Sequence, residues 1–131
     1  MKTLIAEDDL ASRIFMKKLL AKYGDCDVTV DGLETIDAYL TALKEKKPYD
    51  LVCLDIMMPK VDGIKVLKAI RDIEKQQGIA ERERVKVIMT TALNDKEIIM
   101  KANDLGCEGY AWKPIEIEKF LTVLRTLGLI K

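Results

Sequence analysis

Short apolar runs, several of them β-branched, alternate along this chain with longer stretches in which apolar residues recur at helical spacing. Thr3–Ala6 (TLIA), Cys26–Val30 (CDVTV), Asp50–Leu54 (DLVCL), Val85–Thr90 (VKVIMT) and Gly109–Trp112 (GYAW) predict strands. Between them, Ile14, Phe15 and Leu19 predict the buried stripe of a first helix, and Leu33, Ile36, Leu40 and Leu43 that of a second. Val66, Leu67, Ile70 and Ile73 predict the third, and Ile98, Ile99, Ala102 and Leu105 a shorter fourth. Ile117, Phe120, Leu121, Leu124 and Leu127 predict the last.

Start and stop signals divide the chain in the same places. Asp31-x-x-Glu34 and Asn94-x-x-Glu97 resemble capping boxes, in which a short polar side chain and a glutamate satisfy free helix amides. Gly24, Gly78, Gly106 and Gly128 stand where helices should end. Strand followed by helix, five times over, predicts a parallel sheet with helices on both faces. LVCL and VKVIM are apolar enough for strands buried on both sides. The longest connection, from about Glu74 to Arg84, reads as a solvated loop because the signs in Glu81-Arg82-Glu83-Arg84 alternate and cancel. Met16 and Met100 fall off the main helical stripes, which predicts exposed positions for both.

Composition narrows the chemistry. The 131 residues suit one domain, placed at 1–131, with a sizeable core. Lys plus Arg equals Asp plus Glu at 22 each, so net charge gives no pull toward nucleic acid or an anionic membrane. The start MKTLIAEDD is broken by acids too early for a signal peptide, and no apolar run is long enough to span a bilayer. Three widely spaced cysteines predict neither a disulfide framework nor a zinc site, and a reduced, cytoplasmic setting is the expectation. There is no histidine, which excludes Ser-His-Asp and Cys-His catalysis. Carboxylates, hydroxyls and lysines remain.

Polar residues follow the strands in a telling way. Glu7-Asp8-Asp9 follows the first, Asp55 the third, Thr90-Thr91 ends the fourth, and Lys113-Pro114 follows the fifth. In an open parallel sheet these carboxyl ends share one edge, where such folds bind ligands. Clustered acids repel unless a cation joins them, and a hard divalent ion such as magnesium suits oxygen ligands. With that ion, Asp55 could stay ionised and attack phosphorus. A lysine and a hydroxyl suit the phosphoryl oxygens.

These motifs resemble the receiver domains of bacterial two-component response regulators, particularly single-domain, chemotaxis-type ones. The resemblance rests on the acidic pair Glu7-Asp8, D-I-M-M-P-x-x-D-G from Asp55, Thr91-Ala92 and Lys113-Pro114, in that order. It implies a flavodoxin-like three-layer α/β/α fold with a five-stranded parallel sheet in order 2-1-3-4-5. It implies that Asp55 is the phosphoacceptor, fed by a phosphohistidine on a sensor histidine kinase or phosphotransfer protein. Glu7, Asp8, Asp55 and the Met57 carbonyl would hold Mg2+, with Asp9 starting the helix. Lys113 would pair with the phosphoryl group, Thr91 would bond it, and Tyr110 would follow by changing rotamer. The fourth helix, fifth strand and fifth helix would then bind a downstream effector, as a monomer or a phosphorylation-dependent dimer. The residues two beyond Asp55 and Thr91, Met57 and Leu93, tune phosphoryl lifetime in the family. Both are apolar here, which predicts slow decay.

Because the last predicted helix reaches the end of the sequence, the expectation is a module without attached output; a receiver cut from a longer regulator stays open. So do two other classes. An aspartate-dependent phosphatase would want an acid where Met57 stands, and a constitutive interaction domain would not need the complete acidic set. A flavin site would need a phosphate-cradling loop where the acids stand.

Overall fold

The computed structural model describes residues 1–92 and 94–131; Leu93, one of the two predicted lifetime positions, lies outside the described residues. Strands β1 (Thr3–Ala6), β2 (Cys26–Thr29), β3 (Leu51–Asp55), β4 (Lys86–Thr91) and β5 (Gly109–Trp112) fall within a residue or two of the predicted runs. They form one parallel sheet in the order β2-β1-β3-β4-β5. Helices α1 (Leu10–Leu20), α2 (Gly32–Lys44), α3 (Gly63–Gln76), α4 (Lys96–Asp104) and α5 (Ile117–Thr126) complete five strand–helix units.

The period of two along β3 builds both layers of the core. Val52 and Leu54 face one way and pack with Val66, Leu67 and Ile70 of α3, Tyr39 of α2 and Ala102 of α4. Leu51 and Cys53 face the other way, onto Met16, Leu19 and Leu20 of α1 and Phe120, Leu121 and Leu124 of α5. Both faces of the central strand are therefore dry, as its apolar run requires. Truncating a fully buried residue such as Ile70 to Ala should cost about 2–5 kcal/mol.

Several expectations change, among them Ile117 on the stripe of the last helix, which is exposed. In α1 the buried residues are Met16, Leu19 and Leu20, whereas Ile14 and Phe15 are exposed. Met16 is only 4% accessible, so of the two methionines predicted at the surface Met100 alone is there. The stripe was misplaced because LASRIFMKKLL carries apolar residues on more than one face, and packing selects among them. In α2, Thr35, Tyr39 and Ala42 are buried, while Leu33 is exposed. The cap of α4 is Asp95, whose carboxylate accepts from the Glu97 and Ile98 amides, one residue beyond the predicted Asn94.

The last change concerns Glu74. It begins no loop, because α3 runs on to Gln76 and Glu74 is buried within it. Its carboxylate accepts from Arg71 Nη1 at 2.7 Å, Tyr39 Oη at 3.0 Å and the Val85 amide at 2.9 Å. Arg71 also donates to the carbonyls of Val85 and Gly106 and to Glu108 Oε1 at 2.8 Å. This cluster ties α3 to the segments entering β4 and β5. The remainder of the connection, including the short turn Glu81–Glu83, is mostly exposed as expected.

Candidate functional site

The carboxyl ends of β1, β3 and β5 bring together residues 106 positions apart. β1 ends at Ala6, so Glu7 is the first residue past the sheet and is buried, Asp8 turns outward, and Asp9 keeps only its amide at the site, donating to Glu7 Oε2 at 3.4 Å. Asp9 caps α1, its carboxylate accepting the Ser12 amide at 2.9 Å. The Glu7 and Asp8 carboxylates thus lie with Asp55, and the Asp9 carboxylate lies with the helix. Arg13, which sequence reasoning missed, donates to the carbonyls of Glu7 at 3.2 Å and Asp8 at 2.8 Å. A basic residue four positions after a helix cap is a weak signal, so nothing in the sequence singled it out.

Asp55 is the last residue of β3 and only 4% accessible. Its backbone partner across the sheet is Thr90, and the Ile56 amide that follows donates to the Thr90 carbonyl at 3.2 Å. One oxygen of each of Glu7, Asp8 and Asp55 lies within 4.8 Å of the others. Lys113 enters from the end of β5, its ammonium donating to Glu7 Oε1 and, at 3.2 Å, to Asp55 Oδ2. Its backbone is anchored by the Lys113 amide, which donates to the Thr91 carbonyl at 2.8 Å, and continues through a cis peptide into Pro114.

The electrostatics follow from this count of charges. Burial is the main force pushing the Asp55 carboxyl up to about 7, and the neighbouring Glu7 adds to it; Lys113 pulls the other way. Burial also raises Glu7, but bonds to Asp55 and Lys113 outweigh it and hold Glu7 below the ordinary range. Below about 7 the pair thus shares one proton, with Asp55 the acid pushed toward holding it. Burial works against the Lys113 ammonium, yet Glu7 and the charge of Asp55 keep its pKa raised. Two buried acids and one exposed acid share a single lysine, a shortfall of positive charge that a cation would fill.

The other predicted residues are more scattered. Met57 is 61% accessible, in the loop after β3, and its amide donates to Asp55 Oδ1 at 3.3 Å. With Asp8, Pro59, Ile98 and Lys101 it lines an open groove of about 710 Å3 beside the acids. Thr91 is buried at the end of β4, paired across the sheet with Trp112. Tyr110 lies one strand further out, its ring 4.9 Å from that of Trp112. Its buried hydroxyl has no hydrogen-bond partner among the described residues.

Comparison with known proteins agrees with this geometry. The model of the response regulator receiver domain matches residues 3–125. The chemotaxis protein CheY of Treponema pallidum is 32% identical over 92% of this chain and 77% of its own length. Hybrid signal transduction histidine kinase I of Dictyostelium discoideum is 32% identical over 95% of this chain, which spans only 7% of that kinase. Among solved structures, the CheX-CheY-BeF3-Mg complex from Borrelia burgdorferi matches with a TM-score of 0.83 and 26% identity, covering 100% of this chain and 90% of that one.

Proposed function

The chain belongs to the response regulator receiver domain family of two-component signalling, and from that premise we propose that it accepts a phosphoryl group onto Asp55 from a partner phosphohistidine. The observation that carries this reading is the buried Asp55 carboxyl, facing Lys113 and sharing its pocket with Glu7 and Asp8. In the transfer, an Asp55 oxygen forms a bond to phosphorus while the phosphorus–nitrogen bond breaks, and the histidine leaves with the electron pair and takes up a proton. An acyl phosphate is left on Asp55.

The donor set suits magnesium: the group consists of carboxylates alone, hard oxygens that leave room for waters. Glu7, Asp8, Asp55 and the Met57 carbonyl would hold the ion. When bound, it supplies charge neutralisation to the acids and to the incoming phosphoryl oxygens. The remaining work falls to the chain. Lys113 gives up part of its pairing with Asp55 to meet the phosphoryl oxygens, and the Thr91 hydroxyl donates to one of them. Tyr110 then changes rotamer, favoured by a hydroxyl that has nothing to lose in its present place. The surface of α4, β5 and α5 changes with it and is read by a downstream effector or a further phosphotransfer protein.

The donor is a sensor histidine kinase or a histidine phosphotransfer protein, the kind of protein in which a related segment sits in the Dictyostelium hybrid kinase. Residues 1–131 act as one receiver, alone or within a longer regulator. Incubation with magnesium and a small phosphodonor tests the reading by mass. One phosphate should appear in the parent and none in Asp55→Asn; an unmodified parent, or equal modification of both, contradicts it.

A further inference from the structure

We propose that Gly32, at the first position of α2, is a positioning residue for the phosphoacceptor loop. The inference rests on the proposed role of Asp55 but concerns an element outside the acid cluster. The loop Ile56–Asp62 leaves β3 at Asp55 and is tied at its base by the Gly63 amide, which donates to the Ile56 carbonyl at 2.8 Å. Its far end is seated on α2. The Gly32 amide donates to the Pro59 carbonyl at 3.3 Å, and Lys60 pairs with the α2 cap Asp31 at 3.4 Å.

The seat requires a glycine. A Cβ on Gly32 would stand 2.0 Å from the Val61 carbonyl oxygen, 2.8 Å from its carbonyl carbon and 2.6 Å from its Cβ. Two of those atoms are backbone, so no side-chain rotation relieves the clash; the loop itself must move. Alanine is the better helix former at such a position, and in open space the exchange would be favourable. Gly32 is instead retained where the backbone of the loop comes closest.

What moves matters because Met57 lies between the two ties. Its amide bonds Asp55, and its carbonyl is the backbone ligand proposed for magnesium. A loop lifted off α2 displaces that carbonyl while leaving Glu7, Asp8 and Lys113 untouched, since these are held by β1, α1 and β5. Gly32 therefore touches no reacting atom and acts through the loop.

Magnesium affinity and backbone amide shifts, measured by NMR on the full chain, test this. Gly32→Ala should bind magnesium about tenfold more weakly, the scale of lost outer-shell support. Its Met57, Lys60 and Asp62 amides should shift before any metal is added. Gly78→Ala supplies the control, being strained by a φ of +68° but with nothing within 4 Å of the added Cβ. It should lose stability and change neither readout. Parent-like affinity and loop shifts in Gly32→Ala would overturn the proposal.

Should Gly32→Ala fail to fold, hydrogen exchange of the Gly32 amide in the parent decides. It should slow on saturation with magnesium, because the coupling is reciprocal; unchanged exchange overturns the seat. A parent that binds no magnesium defeats the phosphoacceptor reading instead, and the metal-free loop shifts of Gly32→Ala then decide the seat alone.

Discussion

Two buried polar clusters occupy opposite edges of the sheet, and they are built on opposite principles. At the edge where β4 and β5 begin, Arg71 spreads its guanidinium over Glu74, Glu108 and two carbonyls, while Glu74 is also bonded by Tyr39 and Val85. Both acids are held by a planar cation and by backbone amides. At the edge where β1, β3 and β5 end, Glu7 and Asp55 compete for one lysine, and Asp55 retains its proton up to about 7. The first cluster is closed around its acids, which are fully partnered, although Arg71 Nε itself is buried without a partner among the described residues, and the cluster holds elements together. The second is left short of positive charge, which makes it a place for chemistry. Burial of an acid alone does not separate the two; the completeness of its partners does.

The largest effect expected on this contrast is at the closed cluster. Arg71→Ala strands the buried Glu74 and the half-buried Glu108 and should cost about 3–5 kcal/mol in denaturant melts. A loss under about 1 kcal/mol would mean that the cluster is not the clamp its bonds suggest. At the open cluster the sign reverses. Because Asp55 is raised from 3.8 to about 7, the folded metal-free protein binds more protons than the unfolded chain between those values. The contribution of Asp55 is thus full at acid pH and lost as pH rises through about 7. Asp55→Asn, compared with the parent without metal, should gain relative stability across that window, reaching about 4 kcal/mol at pH 8.

How these clusters were legible differs in the same way. The open site could be read because its members follow separate strands, so topology alone gathers Glu7, Asp55, Thr91 and Lys113 at one edge. The central strands were equally plain, since LVCL must be dry on both sides. The closed cluster was not readable. Arg71 and Glu74 look like any charged residues on a helix end, and Glu108 is one more acid in a short connection. Their meaning comes from contacts 35 and 37 positions apart along the chain. The face of α1 failed for a related reason: with apolar residues at 14, 15, 16, 19 and 20, periodicity admits more than one stripe. Gly32 was passed over because a glycine after a helix cap has no distinctive pattern; the Val61 carbonyl beside it is visible only in three dimensions.

A smaller effect sharpens the electrostatic half of the contrast. Magnesium must displace the shared proton, so its affinity should rise with pH up to about 7 and level off above it. Isothermal titration at pH 6 and pH 8, in buffers of different ionisation enthalpy, should show proton release only at the lower pH; equal affinity at both would put the proton elsewhere. The smallest effect concerns the exposed Met57. Met57→Asn offers a group able to orient water near the acyl phosphate, so the labelled variant should decay severalfold faster than the parent. An unchanged decay rate would remove Met57 from control of the lifetime.

The contrast between a closed and an open cluster is tested most directly by titrating the Asp55 side-chain carboxyl by carbon-13 NMR, with and without magnesium. The metal-free protein should show Asp55 changing charge near pH 7, and saturating magnesium should leave it ionised well below that. A metal-free Asp55 that titrates near 3.8, as an ordinary aspartate does, would contradict the account.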